Sequence, residues 1–189
     1  MPMNHALAHL DAPNASEVEA HEWQRAAASL ELARATRQPL RLCEALAQRA
    51  RCERHSGQPA AAAASFDEAL GWARLLASVD LLADLLCERG ELAANSALSV
   101  DAATPEADPD AWLLARHCAA AAAGLAARTS DPAWEVKVLL RASDLFNRLG
   151  SSVEATALQV RAMRRLSQGP VCDTSPPPAI QAVAHPTLQ

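Results

Sequence analysis

Alanine and leucine supply most of the apolar residues of this chain, and that choice restricts the folds open to it. Only 3% of the residues are aromatic, and two uninterrupted alanine runs lie at 60–64 and 119–123. Alanine loses no side-chain entropy in a helix and leucine loses little, whereas strands favour β-branched and aromatic residues. We therefore predict an all-α fold in which small side chains let the helices approach one another closely.

Prolines and glycines divide the chain into seven amphipathic segments. Prolines occur where the first turn of a helix tolerates them, and single glycines occur where a helix typically ends. The start signals are Pro39, Pro59, Pro109 and Pro132, and the stop signals are Gly57 and Gly150. The predicted helices span about 16–37, 39–56, 59–77, 78–98, 108–128, 131–149 and 151–167.

These segments form one predicted domain over residues 16–167, since 189 residues are too few for two large domains. Its one long loop is predicted at 99–110, where two prolines and four acids cluster. We expect residues 1–15 to be flexible and the proline-rich residues 168–189 to form a disordered tail. We also expect Gly90 to interrupt the fourth helix.

Local signals make two further predictions about helix ends and faces. Ser16 with Glu19, and Ser151 with Glu154, have the spacing of capping boxes, in which each side chain satisfies a backbone N–H at the helix start. The last helix is predicted to bury one apolar stripe. That stripe consists of Val153, Ala157, Val160, Ala162, Met163 and Leu166.

The chain contains an internal similarity at an offset of 93 residues. Aligning Gly57 with Gly150 superimposes large apolar residues on large ones and small residues on small ones. The aligned pairs are Leu46 with Leu139, Ala50 with Ser143, Ala62 with Ala155 and Ala69 with Ala162. The segment Gly57-Gln-Pro-Ala-Ala-Ala-Ala-Ala-Ser-Phe-Asp-Glu-Ala-Leu70 resembles the second helix of a tetratricopeptide repeat (TPR) together with the turn before it.

The resemblance implies a fold and a binding surface. It implies about seven helices stacked as antiparallel pairs in a short TPR-like right-handed superhelix, with three pairs over 39–167 and 17–37 as an extra helix. The offset of 93 over two repeats departs from the standard 34-residue unit and is nearer to longer helix-pair repeats. In TPR proteins the first helix of each pair lines the peptide groove. The residues so implied are Arg51, Arg54, His55, Lys137, Asp144, Asn147 and Arg148.

These side chains have two interpretations. The arginines and the lysine could grip a carboxylate or an acidic segment of a partner. Alternatively, all seven are ordinary charged or polar side chains that face water on exposed helix faces. Asp84, Glu88 and Glu91, spaced to form an acidic stripe, likewise either attract a basic partner or face water.

The sequence indicates a non-catalytic protein. It contains no Gly-rich phosphate loop, no zinc-protease helix and no four-ligand zinc pattern, so neither a catalytic site nor a metal or other cofactor is predicted. The five cysteines, at 43, 52, 87, 118 and 172, are predicted to be reduced and mostly core-filling. The four tryptophans are predicted to be core anchors.

The net charge of −5 argues against nucleic acid as a partner, because such binders need a basic face. No apolar run reaches the length of a membrane span, and no leader pattern begins the chain, so we expect a cytoplasmic protein.

Our main hypothesis is an adaptor, chaperone or regulatory scaffold that binds a protein segment on its concave surface. The alternative is an all-α regulatory domain that senses a small ligand between helices. The sequence leaves the partner's identity and homo-oligomerisation open.

Overall fold

The computed structural model describes residues 15–98 and 108–168, with side chains described from residue 20 onward. These residues form seven α-helices, which confirms the predicted all-α class. The helices are α1 (Ala15–Thr36), α2 (Pro39–His55), α3 (Pro59–Leu75), α4 (Val79–Leu98), α5 (Pro109–Ala126), α6 (Pro132–Arg148) and α7 (Ser152–Ser167). The predicted flexible N-terminal segment, most of the loop and nearly all of the tail lie outside the described residues.

The helices pack in chain order as antiparallel pairs. α2 packs on α3, α4 on α5 and α6 on α7, while α1 lies against α2 as an additional helix. Neighbouring pairs meet mainly where α3 contacts α4 and α5 contacts α6, and α4 also contacts α6. The first helices of the three pairs are therefore α2, α4 and α6.

Local capping chemistry fixes where several helices begin. Pro39, Pro59, Pro109 and Pro132 each stand at the first position of their helix, as predicted. At the last two of these starts, the side chain of the preceding aspartate accepts hydrogen bonds from two backbone N–H groups of the first turn. Those N–H groups have no partner within the helix, so the caps stabilise both starts.

The turns within the outer two pairs share one backbone geometry. Gly57 and Gly150 have φ angles of +69° and +74°, in the left-handed region that favours glycine. The next residue's N–H then reaches back to a carbonyl five residues earlier, at 2.9 Å for Gln58 and 2.8 Å for Ser151. Ala77 makes the equivalent turn between α3 and α4 with a φ of +51°, although its Cβ makes that conformation costly.

The structure reproduces the internal repeat predicted from the sequence, both in where the equivalent helices begin and in which residues are buried. α2 and α6 each contain 17 residues and begin 93 residues apart, which equals the predicted offset. All four aligned pairs are buried: Leu46 and Leu139, Ala50 and Ser143, Ala62 and Ala155, and Ala69 and Ala162. Equivalent residues therefore occupy buried positions in both the first and the third pair.

Gly90 does not interrupt α4, contrary to the prediction. The helix continues from Val79 to Leu98, and Gly90 lies where α5 and α6 approach it closely. A Cβ at this position would stand 3.0 Å from the Cβ of Cys118 and 3.1 Å from a methyl group of Leu145. The glycine thus serves close helix packing, which offsets its low helix propensity.

The prediction for the buried face of α7 was wrong. Ala162 alone of the six predicted residues is buried, and Val153 is 79% exposed. α7 packs through Ala155 and Ala162 instead, with Leu158 half-buried beside them. Most of its large apolar residues face away from α6, because α7 is the last helix described and has a neighbour on one side only.

The capping box predicted at Ser151 and Glu154 is also absent. Neither side chain caps the N-terminus of α7. Both bind Arg116 of α5, at 3.0 Å for the Ser151 hydroxyl and 2.6 Å for the Glu154 carboxylate. A bond between two helix pairs has replaced the local cap, which a sequence pattern alone does not reveal.

Candidate functional site

Charged side chains of the three first helices meet on one surface. α4 lies between α2 and α6, and both neighbours extend cationic side chains toward the acids of α4. We call this surface the first-helix face. It carries Arg51, Arg54 and His55 from α2, Asp84, Glu88, Glu91 and Asn95 from α4, and Trp134, Lys137, Arg141, Asp144 and Arg148 from α6.

Arg51 is bound within the protein. Its Nε and Nη2 atoms donate to the two carboxylate oxygens of Glu88, at 2.8 and 2.7 Å. Glu88 is buried, and its hydrogen bond to Arg51 raises the pKa of the guanidinium. A two-point bond between planar groups is strong and directional. Arg51 therefore joins the first pair to the second, and a partner would have to break that bond to use it.

A second cluster joins α4 to α6. Arg141 binds Glu91 at 2.6 and 3.1 Å and Asp84 at 3.3 Å. Burial acts to lower the pKa of Arg141, but the hydrogen bond to Glu91 and the negative charges of Glu91 and Glu88 together outweigh it, so the pKa is raised. The indole N–H of Trp134 also donates to Asp84, at 3.4 Å, so α6 holds α4 through both charged and neutral donors.

Four of the remaining predicted residues are exposed, whereas Arg54 and Arg148 are half-buried. The side chain of Lys137 is 56% exposed although its ammonium lies 3.3 Å from Asp84. His55, Asp144 and Asn147 are exposed. The guanidinium of Arg148 donates to the side-chain oxygen of Asn95. Arg54 lies 3.4 Å from Glu91, in a partly exposed pair.

The acidic stripe of α4 therefore has partners inside the molecule. Asp84, Glu88 and Glu91 neutralise cations from both neighbouring first helices, rather than only facing water. A spacing in the sequence could have predicted this pairing between α2 and α4. Arg51 and Glu88 are 37 residues apart, and so are Arg54 and Glu91. Two acids and two arginines at matching helical spacing indicate neighbouring helices in register.

Sequence reasoning also missed Arg141 and a groove beside the face whose lining mixes polar and apolar side chains. The groove, between α1 and α2, encloses about 560 Å³ and includes Leu32, Leu40 and Gln48, and Arg51 also lines it. Both leucines are at least half exposed, so the groove offers apolar surface to solvent. Because Leu32 lies in α1 and Leu40 in α2, a search for periodic apolar stripes within single helices does not find them.

The tryptophans are less buried than predicted. Trp72, Trp112 and Trp134 are half-buried, and Trp23 of α1 is exposed beside a cavity of about 240 Å³. Trp112 holds the guanidinium of Arg116 over its ring, with the carbon 4.8 Å from the ring centre. These residues thus lie at boundaries between helices rather than at the centre of the core.

The four described cysteines are free and buried. Burial raises the pKa of the Cys87 thiol to about 12 and that of Cys43 to about 11. Burial also raises the pKa of Cys52 and Cys118. Thiols of this kind are protonated near neutral pH and are poor nucleophiles.

Among residues 15–98 and 108–168, no cluster of three or more His, Cys, Asp or Glu side chains has an arrangement that could hold a metal ion. No helix in these ranges has the length and apolar character needed to cross a membrane.

Comparison with known proteins identifies the fold. No protein-family model matches the chain, and no curated protein matches its sequence. Among solved structures, the crystal structure of BtubC (BKLC) from P. vanneervenii matches with a TM-score of 0.61 at 14% sequence identity. The match covers 91% of this chain and 61% of BtubC, so the chain spans less than two thirds of that protein.

The helical pairs are TPR-like. The sequence resemblance, the paired packing and the similarity to BtubC agree on this fold. At 14% identity the similarity concerns the fold alone.

Proposed function

We propose that this chain is a non-catalytic interaction module that binds a peptide or protein segment on its first-helix face. Such a module acts as an adaptor, chaperone or regulatory scaffold. The buried, reduced thiols fit a cytoplasmic location, where disulfides are rare.

The observation that carries the proposal is the combination of solvent-accessible charges with an adjoining groove that contains two exposed leucines. Lys137, Asp144 and Arg148 present both signs of charge on α6. The groove that holds Leu32 and Leu40 adjoins the same face at Arg51. A bound segment could place polar groups along the first helices and an apolar side chain between α1 and α2. The polar contacts would orient the segment, and burial of the apolar side chain would favour binding.

The network below these groups favours a preformed surface. Arg51 and Arg141 are already held by acids of α4, so the face is ordered before a partner arrives. A preordered surface loses less conformational entropy on binding. Of the predicted contacts, we therefore assign Arg51 to the scaffold, and His55, Lys137, Asp144 and Arg148 to the partner. Asn147 is exposed on α6 outside the first-helix face, and its contact with a partner stays a prediction. Arg54, in a partly exposed pair, contributes to both.

The alternative, a small-ligand sensor, has less support. A small-ligand site is usually a concave cavity that buries most of the ligand. The cavities found among the described residues are grooves between neighbouring helices that open to solvent. Extended grooves of this kind suit a polymer better than a compact molecule.

The test compares affinity capture by the wild-type protein with capture by a Lys137→Ala/Arg148→Ala variant, from lysate of the source organism. Both side chains reach solvent, so the variant should fold normally. We expect a partner captured by the wild type to be lost or strongly reduced. A matched control, Arg25→Ala/Arg164→Ala, removes the same charge from exposed positions on α1 and α7 and should capture normally.

Equal capture by all three proteins would contradict the assignment of this face. Reversal of Arg51 is not a suitable test, because a glutamate there would repel Glu88 and disturb the fold.

A further inference from the structure

A second groove lies on the opposite side of α4 from the acidic stripe. Successive helical residues are about 100° apart, so Leu82, Leu86 and Arg89 project away from Asp84 and Glu88. α3 and α5 form the two walls of this groove, and α4 forms its floor. We call it the second-helix groove, since its walls are second helices.

The floor of the second-helix groove is apolar. Leu70 and Leu86 are buried at its base, while Leu82, Leu114 and Leu125 are half-buried and keep part of their surface toward the groove. This part of the groove encloses about 490 Å³. A further 440 Å³ continues toward the N-terminal ends of α3 and α5, and Arg89 and Leu114 line both parts.

One end of the groove is basic. Arg74 and Arg128 are exposed at the C-terminal ends of α3 and α5, and within the described ranges neither has a carboxylate at salt-bridge distance. The exposed His117 lies on the same wall as Arg128. At the other end, Asp110 lines the groove near the start of α5. The groove therefore has a charge gradient along its length.

An ion pair divides the apolar floor. Arg89 donates to both carboxylate oxygens of Asp67, at 2.9 and 3.3 Å, where the two parts of the groove meet. A long acyl chain lying in the groove would bury this pair without giving it a hydrogen bond, which is costly. A peptide offers backbone and side-chain polar groups at intervals and would satisfy it.

We propose that the second-helix groove binds a peptide segment in which a carboxylate adjoins apolar side chains. The carboxylate lies at Arg74 and Arg128, and the apolar side chains lie on the leucine floor. Because the groove and the first-helix face occupy opposite sides of α4, the chain could hold two segments at once. The proposal therefore goes beyond a single binding face.

The experiment selects binders from a random 12-residue peptide library displayed on phage, with the wild-type chain as the target. Enriched peptides are synthesised with a fluorescent label, and their affinities are measured by anisotropy at low and high salt. Four variants are measured beside the wild type. They are Arg74→Ala/Arg128→Ala, Gly124→Leu, the first-helix-face variant Lys137→Ala/Arg148→Ala, and the control Arg25→Ala/Arg164→Ala.

Gly124→Leu tests whether peptides bind in the groove, because the leucine side chain would fill part of it. Gly124 lines the groove, and a Cβ there would meet no atom within 4 Å, so the leucine has room in the free protein but occupies peptide space. The variant should fold at least as well as the wild type, because leucine favours a helix more than glycine does. Loss of peptide binding would then reflect occupancy of the groove and not unfolding.

We expect a class of peptides rich in Asp or Glu and apolar residues. Their affinity should fall at least tenfold in Arg74→Ala/Arg128→Ala and in Gly124→Leu, weaken with salt, and stay unchanged in the control. The proposal is overturned if no peptide is enriched, or if every enriched peptide keeps its affinity within threefold in both groove variants. It is also overturned if oleate binds with the same variant sensitivity while no peptide does, since the site would then take a small amphiphile.

A separate outcome concerns the proposed function only. Peptides that lose affinity in Lys137→Ala/Arg148→Ala, but not in the groove variants, bind the first-helix face. The two proposals can thus fail independently.

Discussion

The bond between Arg51 and Glu88 should stabilise the stack of helix pairs, and replacing Arg51 by methionine measures how much. The substitution keeps an apolar chain about as long as the aliphatic stem of arginine but removes the guanidinium and both donors, at 2.7 and 2.8 Å. Hydrogen bonds to charged groups contribute about 1.5–3 kcal/mol each. The Arg51 side chain is 39% exposed, so solvent weakens the pair. We therefore expect a loss of about 2 kcal/mol for the whole interaction, most of it from leaving Glu88 buried without its partner.

Urea denaturation followed by far-UV circular dichroism gives the free energy of unfolding for each variant. Glu88→Met and the double variant complete a mutant cycle, in which the double variant should lose less than the sum of the single losses, by about 1 kcal/mol. As a control, Arg34→Met breaks a pair with Glu31 in which both side chains are largely exposed, and should change stability by about 0.5 kcal/mol or less. Additive single effects, or an Arg51→Met loss no larger than that of the control, would refute the reasoning.

Three further predictions concern turns, packing and pH. Ala77→Gly should raise the free energy of unfolding by about 1 kcal/mol in urea denaturation, because glycine adopts a φ of +51° without strain; no gain would contradict that conformation. Ala62→Leu and Ala155→Leu should each lower it by about 1–3 kcal/mol, because both alanines are fully buried, and wild-type stability would mean that the packing register is wrong. Above pH 9, stability should fall by on the order of 1 kcal/mol per pH unit for each of Cys43 and Cys87. The folded state raises both pKa values and so favours the neutral thiol; a melting temperature that declines equally in a Cys43→Ala/Cys87→Ala variant would contradict this.

The sequence predicted the helices well because their ends are set by local chemistry. A proline in the first turn, an aspartate that caps backbone N–H groups and a glycine at positive φ each act within a few residues, so Pro132, Asp131 and Gly150 could be interpreted without a structure. The 93-residue offset was also visible, because equivalent packing positions demand residues of similar size.

Features that depend on contacts between helices could not be predicted in the same way. Glycine has a low helix propensity, which favoured an interruption at Gly90. Its close packing against Cys118 explains instead why it lies within α4. Ser151 and Glu154 have the spacing of a cap, yet Arg116 from another pair binds both. In each case a neighbour more than 25 residues away outweighed the local preference.

The sequence located the proposed binding residues on their helices but did not show which of them are paired inside the protein. The sequence placed Arg51 and Lys137 on first helices, and it also identified the acidic stripe of α4. It gave no distance between the helices, so the pairing of Arg51 with Glu88 and of Lys137 with Asp84 emerged only from the structure. Both residues are paired, but the Arg51 side chain is 39% exposed and that of Lys137 is 56% exposed, so Lys137 keeps more surface accessible to solvent.

Site-specific photo-cross-linking tests the central claim most directly. Benzoylphenylalanine is placed at His55 or Asp144, which are exposed on α2 and α6, and at the exposed Gln159 of α7 as a control, and the protein is irradiated in cells of its source organism. We predict that positions 55 and 144 cross-link to the same partner protein, while position 159 does not. Cross-links from position 159 alone, or different partners at positions 55 and 144, would contradict a single segment bound along the first-helix face.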